Sequence, residues 1–228
     1  MPTQGLNQVD PFLMLDEVGT VIYGPEEALG APYHPHRGFE TVSYILQGEK
    51  LHKDSTGKTQ LIGPGDVQRM TAGAGIVYSE LFPIWVNLPT RDKFATPGYQ
   101  YLLAHKIPTA ESPDGKVHVT VIAGEAFGVR AAIGTHTPIW LQDWQVQTGA
   151  ETTIPLDATF NAAAYVFNGT VAFRPQSKEV QQGHMAVFGP GDSLQVACQG
   201  PFVMNTEEEL RSAIDDYRRG RMGIIDIA

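Results

Sequence analysis

The stretch HPHRGFETVSYILQGE, residues 34–49, sets a histidine on either side of one proline and runs through β-branched and aromatic residues into a glycine turn. Residues two apart on an extended strand leave the same face, so His34 and His36 can converge on one ion about 2 Å from each imidazole. The pair alone leaves three readings open: a metal, a catalytic base, or packing.

The end of that stretch recurs. YILQGE at 44–49 is echoed by YVFNGT at 165–170, and IGPGD at 62–66 by FGPGD at 188–192, in the same order. A Pro-Gly-Asp turn uses proline's fixed φ and glycine's tolerance of positive φ, so one match could be turn chemistry alone; two in order read as a repeated unit. Between the 24 glycines and 16 prolines stand short runs such as FETVSYIL, KVHVTVIAG and AAYVF. This is the rhythm of short antiparallel strands, and it predicts an all-β chain of two small barrels. The expected division is a first barrel over 1–105, a polar, turn-rich linker over 106–116 and a second barrel over 117–228. One helix is expected at about 206–219: Thr206 and Glu209 have capping-box spacing, Leu210, Ile214 and Tyr217 share a face, and Gly220 is a stop. Arg218, Arg219 and Arg221 then read as charges suited to a helix C-terminus.

The 228 residues are 42% hydrophobic and 18% charged, the balance of a folded protein. A formal charge of −9 and the lack of a basic stripe argue against direct nucleic-acid binding, while leaving a protein partner open. No run reaches the ~20 apolar residues of a membrane helix, and the start lacks the pattern of a signal peptide. The lone cysteine, Cys198, fits a reducing compartment, so a cytoplasmic protein is expected.

The order HPHRGFETVSYILQG, then LIGPGDVQRMTAGAGIVYSE, has the layout of the two cupin motifs. With DPFLMLDE, WVNLPTRDK and GPFVMNTEEEL it resembles the pirin family over nearly the whole chain. The resemblance implies a bicupin of jelly-roll type, whose first barrel holds one metal ion, usually iron, through the HPH pair and an HxE-like pair. Carried onto this chain, the metal residues are His34, His36, Tyr78 and Glu80, with Tyr78 where the family has its third histidine. Glu80 is also the candidate catalytic base, able to take a phenolic proton from a bound substrate.

That exchange limits the chemistry. An imidazole offers a lone pair at neutral pH, whereas a phenol, with an ordinary pKa of about 10, must first lose its proton. A ferric ion could repay that cost; a ferrous or zinc ion would hold Tyr78 loosely, leaving two histidines and a carboxylate, the triad of non-haem iron oxygenases. The competing reading is a degenerate site that Tyr78 simply fills. His52 is placed either beside the site or on the surface, Arg37 either at its mouth or paired with a carboxylate, and Glu40 outside the ligand set. In the second barrel the positions matching the HPH pair are Pro155 and Asp157, so no metal is expected there.

The resemblance also implies two shortened loops, one between YSE and WVNLP and one before GPFVMN. Three functions follow from it: a dioxygenase opening a small aromatic flavonol such as quercetin, a metal-dependent regulator acting through a protein partner, or a metal-free scaffold.

Overall fold

The computed structural model describes residues 1, 6, 8–17, 19, 22–24, 27, 32–79, 83–150, 152–154, 156–157, 159–173, 178–188, 197–199, 202–204, 207–219 and 221–222. The chain is a bicupin, and the described residues are all-β apart from one α-helix and two short 3-10 helices, Thr90–Asp92 and Ala104–Lys106.

The first half contains β1 (Phe12–Met14), β2 (His34–His36), β3 (Phe39–Tyr44), β4 (Lys50–Asp54), β5 (Thr59–Ile62), β6 (Val67–Thr71), β7 (Ile76–Ser79), β8 (Ile84–Asn87) and β9 (Gly98–Leu102). They form two antiparallel sheets, one in the order β1-β8-β3-β6-β9 and one in the order β2-β7-β4-β5. Alternation along β3 shows how the sheets face each other. Phe39 and Thr41 turn inward, while Val42 packs outward with Val67 and Val86 against Ile107, Ile122, Ile133 and Ile139 of the second half. Burying each such aliphatic side chain is worth roughly 1.5–3 kcal/mol, so this shared core joins the two halves firmly.

The second half follows with β10 (Thr109–Glu111), β11 (Val117–Ala123), β12 (Glu125–Ala126), β13 (Val129–Arg130) and β14 (Leu141–Val146). Beyond them lie β15 (Ala162–Val166), β16 (Thr170–Phe173), β17 (Lys178–Gln181), β18 (His184–Phe188), β19 (Ala197–Gln199) and β20 (Phe202–Met204). β10 lies within the stretch 106–116 and pairs with β11 beyond it, so that polar segment carries a strand as well as turns. The helix α1 spans Glu207–Arg218. Its N-terminal Thr206, its stop Gly220 and the side chains of Glu209, Leu210, Ile214 and Tyr217 lie outside the described residues. The arginines at its end do pair locally, Arg219 with Asp215 at 2.8 Å and Arg221 with Asp215 and Asp216.

Candidate metal centre

Pro35 has no N–H to give a ladder, yet it sits within β2 without penalty because β2 is an edge strand of its sheet. Its two histidines therefore keep an extended backbone and a common face, with ring centroids 4.7 Å apart. The partner strand β7 is delivered by the TAGAG turn, where glycine is required. Gly73 has φ +48°, and a Cβ on it would lie 1.9 Å from the Ala95 carbonyl oxygen. The resulting register puts His34 opposite Tyr78 and His36 opposite Ile76.

His34 Nδ1 lies 2.7 Å from the Pro32 carbonyl oxygen. Donation there places the proton on Nδ1 and leaves the Nε2 lone pair free, the arrangement of a ligating histidine. His36 is completely buried against Phe39 (4.9 Å), Trp85 (5.2 Å) and Tyr78 (4.6 Å between centroids). Burial, assisted by neighbouring His34, holds its pKa well below the ordinary histidine range, so the imidazole is neutral. Neither of its ring nitrogens has a hydrogen-bond partner.

Tyr78 is also completely buried, 5.5 Å from the His34 ring, and its hydroxyl makes no hydrogen bond; Thr41 is a polar neighbour without bonding geometry. Burial raises the phenol's pKa further, so the protonated form is the one favoured here. Glu80, expected as both ligand and base, lies outside the described residues. Among the described residues no three His, Cys, Asp or Glu side chains gather closely enough to hold an ion by themselves. His34, His36 and Tyr78 do come together: both ring nitrogens of His36 and the Tyr78 hydroxyl are buried without partners, in rings 4.6–5.5 Å apart between centroids. Leaving such an atom unsatisfied costs about 1–3 kcal/mol, and an ion would take the one lone pair of the neutral His36 ring, the other nitrogen keeping its proton. The donors present fit a metal.

His52 is buried beside Tyr78, not exposed. Its ring is 5.7 Å from that of Tyr78 and its Nε2 is 3.2 Å from Asp54 Oδ2, while Nδ1 has no partner. Burial lowers its pKa, against the opposing pull of Asp54. The LHKD spacing at 51–54 carried the signal: Lys50, His52 and Asp54 alternate inward along β4. Asp54 is fixed by its other oxygen, which accepts from the Thr56 N–H and hydroxyl, both at 2.6 Å.

Arg37 takes the second of its two expected roles. Its Nε donates to the Ala74 carbonyl at 2.7 Å and its Nη1 to Asp216 Oδ2 at 2.5 Å, tying α1 to the strand bearing the histidines. Glu40 points to the opposite face, where Arg69 donates to it twice and Thr71 once. In the second half Pro155 lies outside the described residues, and Asp157 accepts from Thr159 in a local turn.

Comparison with known proteins gives a consistent set of likenesses. A family model described as Pirin matches residues 1–88, and one described as Pirin C-terminal cupin domain matches 141–199 and 191–223. A Pirin-like protein of Solanum lycopersicum is 40% identical over 250 positions, covering 96% of this chain and 84% of that protein. Pirin of Homo sapiens is 37% identical over 252 positions with the same coverage. These alignments are longer than the 228 residues of the chain, so the relatives carry segments it lacks. Among solved structures, a quercetin 2,3-dioxygenase from Acinetobacter baumannii superposes with a TM-score of 0.87 at 30% identity, over 98% of this chain and 90% of that one. A second A. baumannii quercetin 2,3-dioxygenase, at 24% identity and TM-score 0.86, shares the fold over all of this chain and 86% of its own.

Proposed function

This chain belongs to the pirin family, and from that premise we propose that its first barrel binds one metal ion, iron first among the candidates, and opens flavonols such as quercetin as a cytoplasmic dioxygenase. The observation that carries the reading is His36: a neutral imidazole, fully buried, with both nitrogens unsatisfied and a second histidine ring 4.7 Å away on the same strand face. The resemblance to a quercetin 2,3-dioxygenase supports the substrate class.

His34, His36 and Glu80 are the proposed holding set, with Tyr78 beside them as a neutral phenol. A bound ion would supply Lewis acidity toward the flavonol's adjacent oxygens and contact with dioxygen. The chain's own residues do the rest. The Pro32 carbonyl orients His34. Phe39 and Trp85, stacked at 4.3 Å, form with His36 an aromatic wall that keeps bulk water from the reacting ring. Glu80 takes the hydroxyl proton of the entering flavonol.

The test is oxygen uptake with quercetin by protein of known iron content. Turnover that tracks iron, and is lost in His36→Ala, supports the reading; iron without turnover contradicts it. A second reading rests on Tyr78. A neutral phenol packed against both histidines suits a protein that binds its ion without opening substrate and serves a protein partner, which is the reading that iron without turnover would favour.

A further inference from the structure

A second candidate site lies outside the histidine barrel, where β12 and β13 are joined by the two-residue turn Phe127–Gly128. Both turn residues have positive φ, +46° and +77°, a combination that ordinarily selects Asn-Gly. A phenylalanine at the first position is an uncommon placement for an L residue, and such outliers concentrate at functional sites. Here it stands the ring, 39% exposed, over Trp144 at 5.6 Å between centroids and 62° between planes.

The indoles below it are fixed. Trp144 Nε1 donates to Gln142 Oε1 at 2.9 Å, and the Gln142 amide donates to the Glu125 carbonyl at 2.8 Å. Trp140 lies on Gly124, where a Cβ would come within 2.3 Å of the indole, and meets Phe160 edge-on at 5.9 Å. Phe127, Trp140, Trp144 and Ile154 enclose a cavity of about 180 Å³, and among the described residues Glu125 is the one charged residue lining it. That carboxylate is paired with an 85%-exposed Arg130 at 2.9 Å, so the position already attracts a cation through a weak, displaceable contact.

Aromatic faces attract cations, most strongly those of tryptophan. These walls are poor in hydrogen-bond acceptors, which disfavours an ammonium that must keep three donors satisfied and favours one whose nitrogen is fully alkylated. The volume falls below the roughly 300–1,000 Å³ of drug-sized pockets, matching a head group and not a ring system. We propose that this cavity binds the quaternary ammonium head group of a small molecule of choline's type.

The test titrates the full chain with choline and with 3,3-dimethyl-1-butanol, its uncharged isostere, following the indole resonances by NMR. The expected result is saturable movement of Trp140 and Trp144 with choline while Trp85 stays still, and roughly threefold to thirtyfold weaker binding of the alcohol. Phe127→Asn keeps the turn's backbone preference and is expected to weaken choline about tenfold in a folded protein. The proposal is overturned if choline gives no saturable shift, if the alcohol binds as tightly, or if Phe127→Asn binds choline unchanged. A trimethyllysine peptide that binds tenfold more tightly than choline would overturn the small-molecule assignment.

Discussion

Tyr78 stands directly across the β2–β7 ladder from His34, and its buried hydroxyl bonds to nothing although the neighbouring His36 offers two unsatisfied nitrogens. Burial keeps that phenol protonated, so it offers an ion no ready negative charge. In the metal-free protein Tyr78→Phe removes an orphaned polar atom and is expected to raise stability by about 1 kcal/mol in urea unfolding. Tyr78→His restores a ready lone pair and is expected to tighten divalent metal binding at least tenfold, about 1.4 kcal/mol, in competition with a chelator. Loss of the ion in Tyr78→Phe would show that the phenol is itself a ligand.

Asp143 ties the halves together by accepting the Tyr44 hydroxyl at 2.9 Å, but its other oxygen is buried without a partner. Burial raises its pKa, with the Tyr44 hydrogen bond only partly opposing. A carboxyl whose folded pKa is raised above the unfolded value binds its proton more readily when folded. Ionisation therefore destabilises the native state as pH rises through the folded value. Asp143→Asn is expected to unfold at a higher temperature than the parent at pH 7, with the difference shrinking as pH falls toward the ordinary carboxylate range. A constant difference across that range would contradict this account.

The Arg37–Asp216 pair anchors α1 on the first barrel, with the arginine side chain only 6% exposed. Burial alone would raise the Asp216 carboxyl, but hydrogen bonds from Arg37 and Arg221 bring it below the usual range. Asp216→Ala leaves a nearly buried guanidinium short of its charge partner, a loss of roughly 1–3 kcal/mol by urea denaturation. The Nε bond to Ala74 remains, which keeps the cost below that of a fully orphaned charge.

Glu40 tests which face of β3 belongs to the site. It is fully buried and held by Arg69 and Thr71 on the side away from the histidines. Glu40→Ala strands Arg69 and is expected to cost about 3 kcal/mol or more while leaving the ion content of the remaining folded protein unchanged. A fall in bound ion at constant folded fraction would place Glu40 in the ligand set.

Much of this arrangement is legible in the residue order. The two-residue period puts His34 and His36 on one face, and β7 carries Tyr78 to them as the motif order implies. The alternation along β4 was equally present in the sequence, yet it does not say whether a strand after a glycine turn faces inward or out. The structure settles that His52 lies inside, because β4 pairs with β7 and sets Asp54 opposite Tyr78. The role of Arg37 is illegible for a different reason: its partner lies 179 residues away, and no local pattern predicts so distant a contact. Phe127 is hidden similarly, since a phenylalanine before a glycine gives no hint of positive φ.

The most direct measurement is the metal content, by elemental analysis, of protein purified without added metal and then reconstituted with iron, for the parent and for the His34→Ala, His36→Ala double variant. One ion per chain in the parent, and none in a variant that stays folded, is the predicted outcome. A folded parent that takes up no ion, or a double variant that retains it, would mean that the paired imidazoles do not hold a metal.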